Sequence, residues 1–292
     1  MEAKVVYDKL NKDFLKEGIR DIGWTVRMPL LWKHFTNEFC TNSGKGLMLD
    51  FAFEINEVYT MVFLEERLLD QLLATNVTDA LILSHHPTAW DIEKRNGNYA
   101  IDEEYCLRLK QNRIAVYILH QPLDDYGPYS TARTLAEQLP VTIERPAFKF
   151  QGAMCGLIAT TSCNTITELQ KRFSTAVGHR VSLYRYGNKQ INEQKVAVCP
   201  GGGNQLFVIQ EMLKNNTKTL ITGVSLINEH SSDVHKYAKK HRVNVLGGTH
   251  YSTEKFAMMR MVEYFEALGL PARFLADEPQ LYDLGRGWGR LL

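Results

Sequence analysis

Three short stretches place metal-ligand side chains directly after runs that read as strands. "LILSHHPTAW" (81–90) carries three aliphatics into Ser84, His85, His86 and a proline. "IAVYILHQPLDD" (114–125) ends in His120 and, four positions on, Asp124 with Asp125 beside it. "VNVLGGTHYSTEKF" (243–256) supplies His250 and Glu254. Imidazole and carboxylate are the ligand types of Zn²⁺, Mn²⁺ and Fe²⁺. The proline after His86 removes a ladder donor, so the strand stops there and the histidines sit at its carboxyl end. In an open parallel sheet that edge is where ligands bind. On a helix, His250 and Glu254 at i and i+4 share one face.

Read singly, each cluster has an ordinary explanation. A histidine after a strand is commonly a polar loop residue, and His250 with Glu254 makes an unremarkable helix-surface pair. His120 could bond a loop carbonyl, and Asp124 lies in "PLDDYGP", a stretch rich in turn formers. What the ordinary readings do not explain is that all three clusters fall at carboxyl ends of strands. His85, His86, Asp124, His250 and Glu254 make five candidate ligands, with His120 a sixth. One tetrahedral zinc needs only three or four, whereas two metals about 3.5–4 Å apart use more. Adjacent residues on an extended backbone point to opposite sides, so His85 and His86 suit two different ions.

"LILSHHP", "H-x-P-L-D" and "G-x-H-Y-S-T-E" stand in the order and type seen in the NIF-three-like dinuclear-metal family, and the chain resembles that family from about Gly46 to Phe274. Its bacterial members carry the description GTP cyclohydrolase type-two homologue. The resemblance implies that His85 and His250 hold one divalent ion (Zn, Fe or Mn), that His86 and Asp124 hold the other, and that Glu254 bridges them with His120 close by. It implies a two-domain α/β/α fold and a toroidal homohexamer. The choice of Asp124 over Asp125 rests on this alignment. Where the family reads T-G-D after the penultimate strand, this chain has Thr222-Gly223-Val224, and "GWTVRMPLLWKHF" near the N-terminus matches poorly.

The elements that must position these groups follow a βαβ rhythm, short apolar runs alternating with longer helical patterns. "GLMLDFAFEINEVYTMVFLEE" reads as two adjacent strands turning near Glu54–Asn56. "ERLLDQLLATN" is helical, "DALILS" a strand, "DEEYCLRLKQN" a helix opened by acids, "IAVYIL" a strand, and "YSTARTLAEQL" a helix ending at Pro140. The second half begins with the strand "GAMCGLIAT". "TITELQKRFSTAVG" is a helix with a Thr165–Glu168 capping box and a terminal glycine. "AVCPGGGNQLF" (197–207) reads as a strand, three glycines and a helix capped by Asn204; its amides could cradle an anion, or the glycines could simply allow a tight turn. A wall of the ligand cleft is the preferred role. The remaining elements alternate through "TKTLITG", "SSDVHKYAKKH" and "VNVLGG" to a long helix, "STEKFAMMRMVEYFEALG", whose methionines read as packing. The expected architecture is therefore α/β, with two domains of α/β/α layers and mostly parallel or mixed sheets, residues 1–145 and 146–292, and a metal site in the cleft between them.

With 45% hydrophobic and 23% charged residues the chain has the composition of a soluble globular protein. No apolar run approaches the ~20 residues of a membrane span, and the charged N-terminus lacks a signal h-region. Five scattered cysteines without C-x-x-C spacing exclude a disulfide framework and a cysteine zinc site. A cytoplasmic location follows. Net charge of +1 argues against nucleic acid as a partner, and "KYAKKHR" (236–242) reads as a solvated helix face. Trp90, four residues past His86, is placed to line the site or to pack; Trp24, Trp32 and Trp288 are scattered. The expected function is that of a metal-dependent hydrolase acting on a small-molecule substrate, GTP cyclohydrolase-like, with a metal-activated water and with Glu254 and His120 as the catalytic groups. The alternative is a non-enzymatic metal-binding oligomeric scaffold or metal-handling protein.

Overall fold

The computed structural model describes residues 1–21, 34–95 and 97–285. Trp24, Trp32, Trp288 and most of "GWTVRMPLLWKHF" lie outside them. The chain opens with α1 (Ala3–Phe14), which buries Val6, Leu10 and Phe14 on one stripe, and α2 (Glu38–Ser43), capped by the Asn37 side chain. β1 (Gly46–Leu49), β2 (Glu57–Met61), α3 (Glu66–Leu73) and β3 (Ala80–Ser84) follow. A small antiparallel hairpin, β4 (Ala89–Asp91) with β5 (Gly97–Tyr99), comes next, then α4 (Glu103–Gln111), β6 (Ile114–Ile118), α5 (Gln121–Asp124) and α6 (Thr131–Ala136).

The rest of the chain gives β7 (Val141–Phe150), β8 (Ala153–Thr161), α7 (Ile166–Val177), β9 (Ser182–Tyr184), β10 (Lys195–Cys199), α8 (Leu206–Lys214) and β11 (Thr219–Thr222). α9 (Ser232–His241), β12 (Asn244–Gly247), α10 (His250–Ala267) and β13 (Ala272–Phe274) complete it. At α7 the expected signals operate: Thr165 Oγ1 accepts the Glu168 amide at 3.2 Å, and Gly178 ends the helix at φ +86°. At α8 they do not. Gln205, not Asn204, precedes the helix, and neither caps it with a side chain. Asn204 Nδ2 instead lies 3.2 Å from His235 Nε2.

These elements form two compact units. The first comprises 1–123, 151–153 and 258–277; the second comprises 124–150, 154–257 and 278–292. This differs from the contiguous division at 145 because β13 pairs in parallel with β2, Ala272 opposite Val58, so the chain returns to its first sheet near its end. That sheet runs β1-β6-β3-β2-β13. β1 and β2, expected as neighbours across a turn, are separated by two strands: β1 pairs antiparallel with β6, while β2 pairs in parallel with β3. All five residues of β3 and of β6 are buried, as a central parallel strand covered on both faces requires. Leu68, Leu69 and Leu72 of α3 and Leu109 of α4 pack on Ile82, Val116 and Ile118.

The second unit is built on a mixed sheet ordered β7-β8-β10-β11-β12-β9. β10, β11 and β12 are parallel, with Cys199, Thr222 and Gly247 in register at their carboxyl ends. Val198, Ile221 and Leu246 face α7 through Leu169 and Phe173. Ala197 and Leu220 point the other way, toward Val208 and Ile209 of α8. Among the described residues no helix is long and apolar enough to cross a membrane.

Candidate metal centre

In the first unit β3 ends at Ser84, and the chain bends at His85 and His86 rather than staying extended. The His85 amide donates to Met61 O at 3.1 Å and the His86 amide to Val62 O at 2.8 Å, which ties both histidines to the end of β2. Both rings are buried, His85 completely and His86 to within 2%. His85 Nδ1 lies 2.7 Å from the Leu119 carbonyl oxygen. A carbonyl only accepts, so Nδ1 carries the proton and Nε2 presents its lone pair. His120 Nδ1 lies 2.7 Å from Asp21 Oδ1, which assigns its proton the same way, and Asp21 Oδ2 accepts the Gln121 amide at 3.2 Å. This carboxylate–imidazole contact is the one that orients metal-ligating histidines. His86 is set by stacking on Phe63, ring centroids 4.4 Å apart, and Phe63 stacks in turn on Trp90 at 6.0 Å. His85, His86 and His120 each offer a ring nitrogen, and these atoms lie within 4.8 Å of one another.

In the second unit the ligand residues ride on the first turn of α10. The chain leaves β12 through Gly247 and Gly248 and bends at Thr249, φ +64°, into the helix. The His250 amide donates to Asp283 Oδ2 at 2.8 Å, which anchors the helix start. One turn on, Glu254 Oε1 is 3.3 Å from His250 Nε2, both side chains buried. The glycine loop closes over this pair. The Gly201 amide donates to Thr253 Oγ1 at 3.0 Å, and a Cβ at Gly201, whose φ is +58°, would stand 2.0 Å from Glu254 Oε1 and 2.9 Å from His250 Nε2. Only glycine lets the backbone come so near. At position 224 the backbone contributes, the Val224 amide donating to Gly201 O at 2.8 Å.

Asp124 belongs to this unit too. One of its carboxylate oxygens lies within 4.8 Å of one of Glu254, and Thr131 Oγ1 donates to Asp124 Oδ1 at 2.6 Å. Its neighbour Asp125 does other work, accepting the Met154 amide at 3.0 Å at the start of β8. Cys199 is close by, but burial pushes its thiol well above the usual range, and the carboxylates of Asp124, Glu211 and Glu254 add to the shift. A neutral thiol is a poor metal ligand.

Both sets fit a divalent cation on their donor chemistry: imidazole nitrogens in the first, carboxylate oxygens and one imidazole in the second. These buried His and Glu groups and the half-buried Asp124 could hold metal ions. Sequence reasoning found His85, His86, His120, Asp124, His250 and Glu254 but missed the residues that aim them. Asp21 lies about a hundred positions before its partner, Asp283 beyond the last sheet strand, and Phe63 looks like any strand-end aromatic. Among the groups that shape the site, the glycines of 201–203 and Trp90 left a legible trace.

Comparison with known proteins accords with this geometry. Residues 36–276 match the family model described as Duf34/NIF3 (NGG1p interacting factor 3). A relative from Borreliella burgdorferi is 24% identical over 185 residues, 63% of this chain and 69% of its own. Another, from Archaeoglobus fulgidus, is 23% identical over 243 residues, 82% and 91%. Both bear the name GTP cyclohydrolase 1 type 2 homolog. Among solved structures, the protein ybgI, of unknown function, superposes with a TM-score of 0.72 at 18% identity, covering 96% of this chain and 100% of that one. TTHA1606 from Thermus thermophilus gives 0.68 at 18% identity over 96% and 100%. Reduced HcgD from Methanocaldococcus jannaschii gives 0.67 at 17% over 95% and 98%.

Proposed function

Because this chain belongs to the Duf34/NIF3 (NGG1p interacting factor 3) family, we propose that its two buried ligand sets act as one centre for two divalent metal ions, and that the protein is a metal-dependent hydrolase. The observation that carries the reading is the fixed tautomer of His85 and His120. A carbonyl and a carboxylate accept the Nδ1 protons, which puts the lone pair of each ring on Nε2, the atom that would face a cation. Covalent connection supports a joint centre, since Asp124 ends the single helical turn that begins just after His120. His85 and His250 would hold one ion, His86 and Asp124 the other, and Glu254 would bridge.

Ions bound there would supply Lewis acidity and a water of lowered pKa. The chain's own residues do the rest. Asp21 holds the His120 ring with Nδ1 protonated, which leaves Nε2 able to take a proton from a reacting group. Phe63, backed by Trp90, covers one face of His86 with apolar surface. The names of the relatives, GTP cyclohydrolase 1 type 2 homolog, make a purine nucleotide the first substrate to try, with phosphoesters and peptides next. We place the protein in the cytoplasm as a homo-oligomer, a toroidal hexamer.

Elemental analysis of purified, tag-free protein should return about two divalent ions per chain, and His86→Ala or Glu254→Ala should each remove at least half. Full metal content in both variants would overturn the assignment. A metal-reconstituted screen against GTP, phosphoesters and peptides then tests the chemistry, with any activity expected to vanish in Glu254→Ala. Silence across the screen with metal intact would transfer the site to a metal-binding scaffold.

A further inference from the structure

At the edge of the second sheet opposite His250, a cavity of about 80 Å³ opens between the starts of β11 and β12, where Thr219 and Asn244 stand in register. One strand length, about 10 Å, separates it from the turn that leads into α10. Asn188, Gln190, Asn192, Lys218 and Arg242 form its walls, with Thr219 and Asn244 beneath. Among the described residues no carboxylate and no apolar side chain lines it. Lys195 pairs with Glu193 and Lys236 with Asp233. Lys218 and Arg242 have no carboxylate partner among the described residues.

The walls are fixed in advance. Asn244 is buried, its Oδ1 accepting the Gly187 amide at 2.8 Å and its Nδ2 donating to Asn188 O at 2.9 Å. Gly187 lets that loop press against the end of α9, since a Cβ there would lie 2.2 Å from Arg242 O. Arg242 Nη2 donates to Asn188 Oδ1 at 3.0 Å. Arg242 also closes α9 in the left-handed conformation, φ +58°, a position that glycine fills at lower cost.

We propose that this cavity binds a phosphate-type oxyanion, with Lys218 and Arg242 as its charge partners and the amides of Asn188, Gln190 and Asn192 as further donors. Two unneutralised cations match a dianion, and guanidinium geometry matches a tetrahedral oxyanion through paired N–H donors. The volume suits one phosphate group, so the ligand is either the free anion or the terminal group of an organic phosphate.

The test is titration of the metal-loaded full chain with inorganic phosphate and, separately, with phenyl phosphate, followed by amide resonances. Saturable shifts confined to 187–190, 216–219 and 242–244, with a Kd of about 1 mM or tighter, are expected. Arg242→Gly suits the backbone it replaces, so it should keep or raise Tm while weakening binding about tenfold or more, and Lys218→Gln should weaken it comparably. His86→Ala should leave this binding unchanged, which separates it from the metal centre. Preference for inorganic phosphate assigns the free anion, and equal or tighter binding of phenyl phosphate assigns a phosphomonoester. Absence of saturable shifts in those segments, or undiminished binding by a folded Arg242→Gly, would overturn the proposal.

Discussion

The histidine set of the first unit and the histidine–carboxylate set of the second are held by different means. His85, His86 and His120 are each aimed by a separate partner: the Leu119 carbonyl, the Phe63 ring and the Asp21 carboxylate. His250 and Glu254 share a close neighbour, the backbone of Gly201 pressed against both, while Asp283 anchors the start of their helix. Independent partners make a site that degrades step by step, because losing one leaves the others in place. A shared close contact makes a site that fails at once.

Gly201→Ala is the sharpest way to break that contrast. The added methyl would overlap Glu254 Oε1 and crowd His250 Nε2 at a positive φ, so loss of half or more of the bound metal is expected by elemental analysis. Gly202→Ala is the matched control, since a Cβ there meets nothing within 4 Å, and its metal content should be normal. Equal loss in both variants would deny the shared support.

Asp21→Asn tests the graded side. It keeps an acceptor for His120 Nδ1 but removes the charge, and metal affinity should fall about 10–100-fold, read by competition with a chelator. A loss as complete as that of Gly201→Ala would erase the distinction between the units. Next in size is Asp283→Ala, which removes the acceptor for the His250 amide at the start of α10. It should cost about 1–2 kcal/mol in urea unfolding, with metal weakened only as far as the helix start frays.

The smallest effect concerns Glu65, which accepts the Trp90 amide at 2.9 Å behind the Phe63–His86 stack. Burial pushes its carboxyl up to about 7 from 4.5, with the Asp277 charge adding, against the lowering effect of the Trp90 bond. The folded form therefore holds the proton more tightly than the unfolded one. Its contribution to stability is fully present below about pH 4.5 and is lost as pH rises through about 7. Glu65→Gln should flatten that dependence between pH 5 and pH 8, measured from urea midpoints. An unchanged slope would remove Glu65 from the account.

The readable parts of this molecule are those whose signal is local. "LILSHHP" and "GGTHYSTE" each hold a strand end and its ligands within one window, and the capping of α7 by Thr165 lies within four residues. β7 escaped notice because Pro146 and the charges of Glu144, Arg145 and Lys149 disguise an edge strand in which only Ala147 and Phe148 are fully buried. β9 and the β4–β5 hairpin are three-residue strands, too short for periodicity to show. The return of β13 to β2 depends on packing far along the chain, so a linear division at 145 could not anticipate it. The same holds at the site: ligand types were legible, whereas Asp21, Phe63 and Asp283 become partners only once the fold brings them near.

Anomalous diffraction from crystals of the metal-reconstituted protein measures the central claim directly. The account predicts two peaks within bonding distance of both sets, one reached by His85 and His250, the other by His86 and Asp124, with Glu254 touching both. Density that places the histidine set and the carboxylate set on separate ions too far apart to share Glu254 would contradict it.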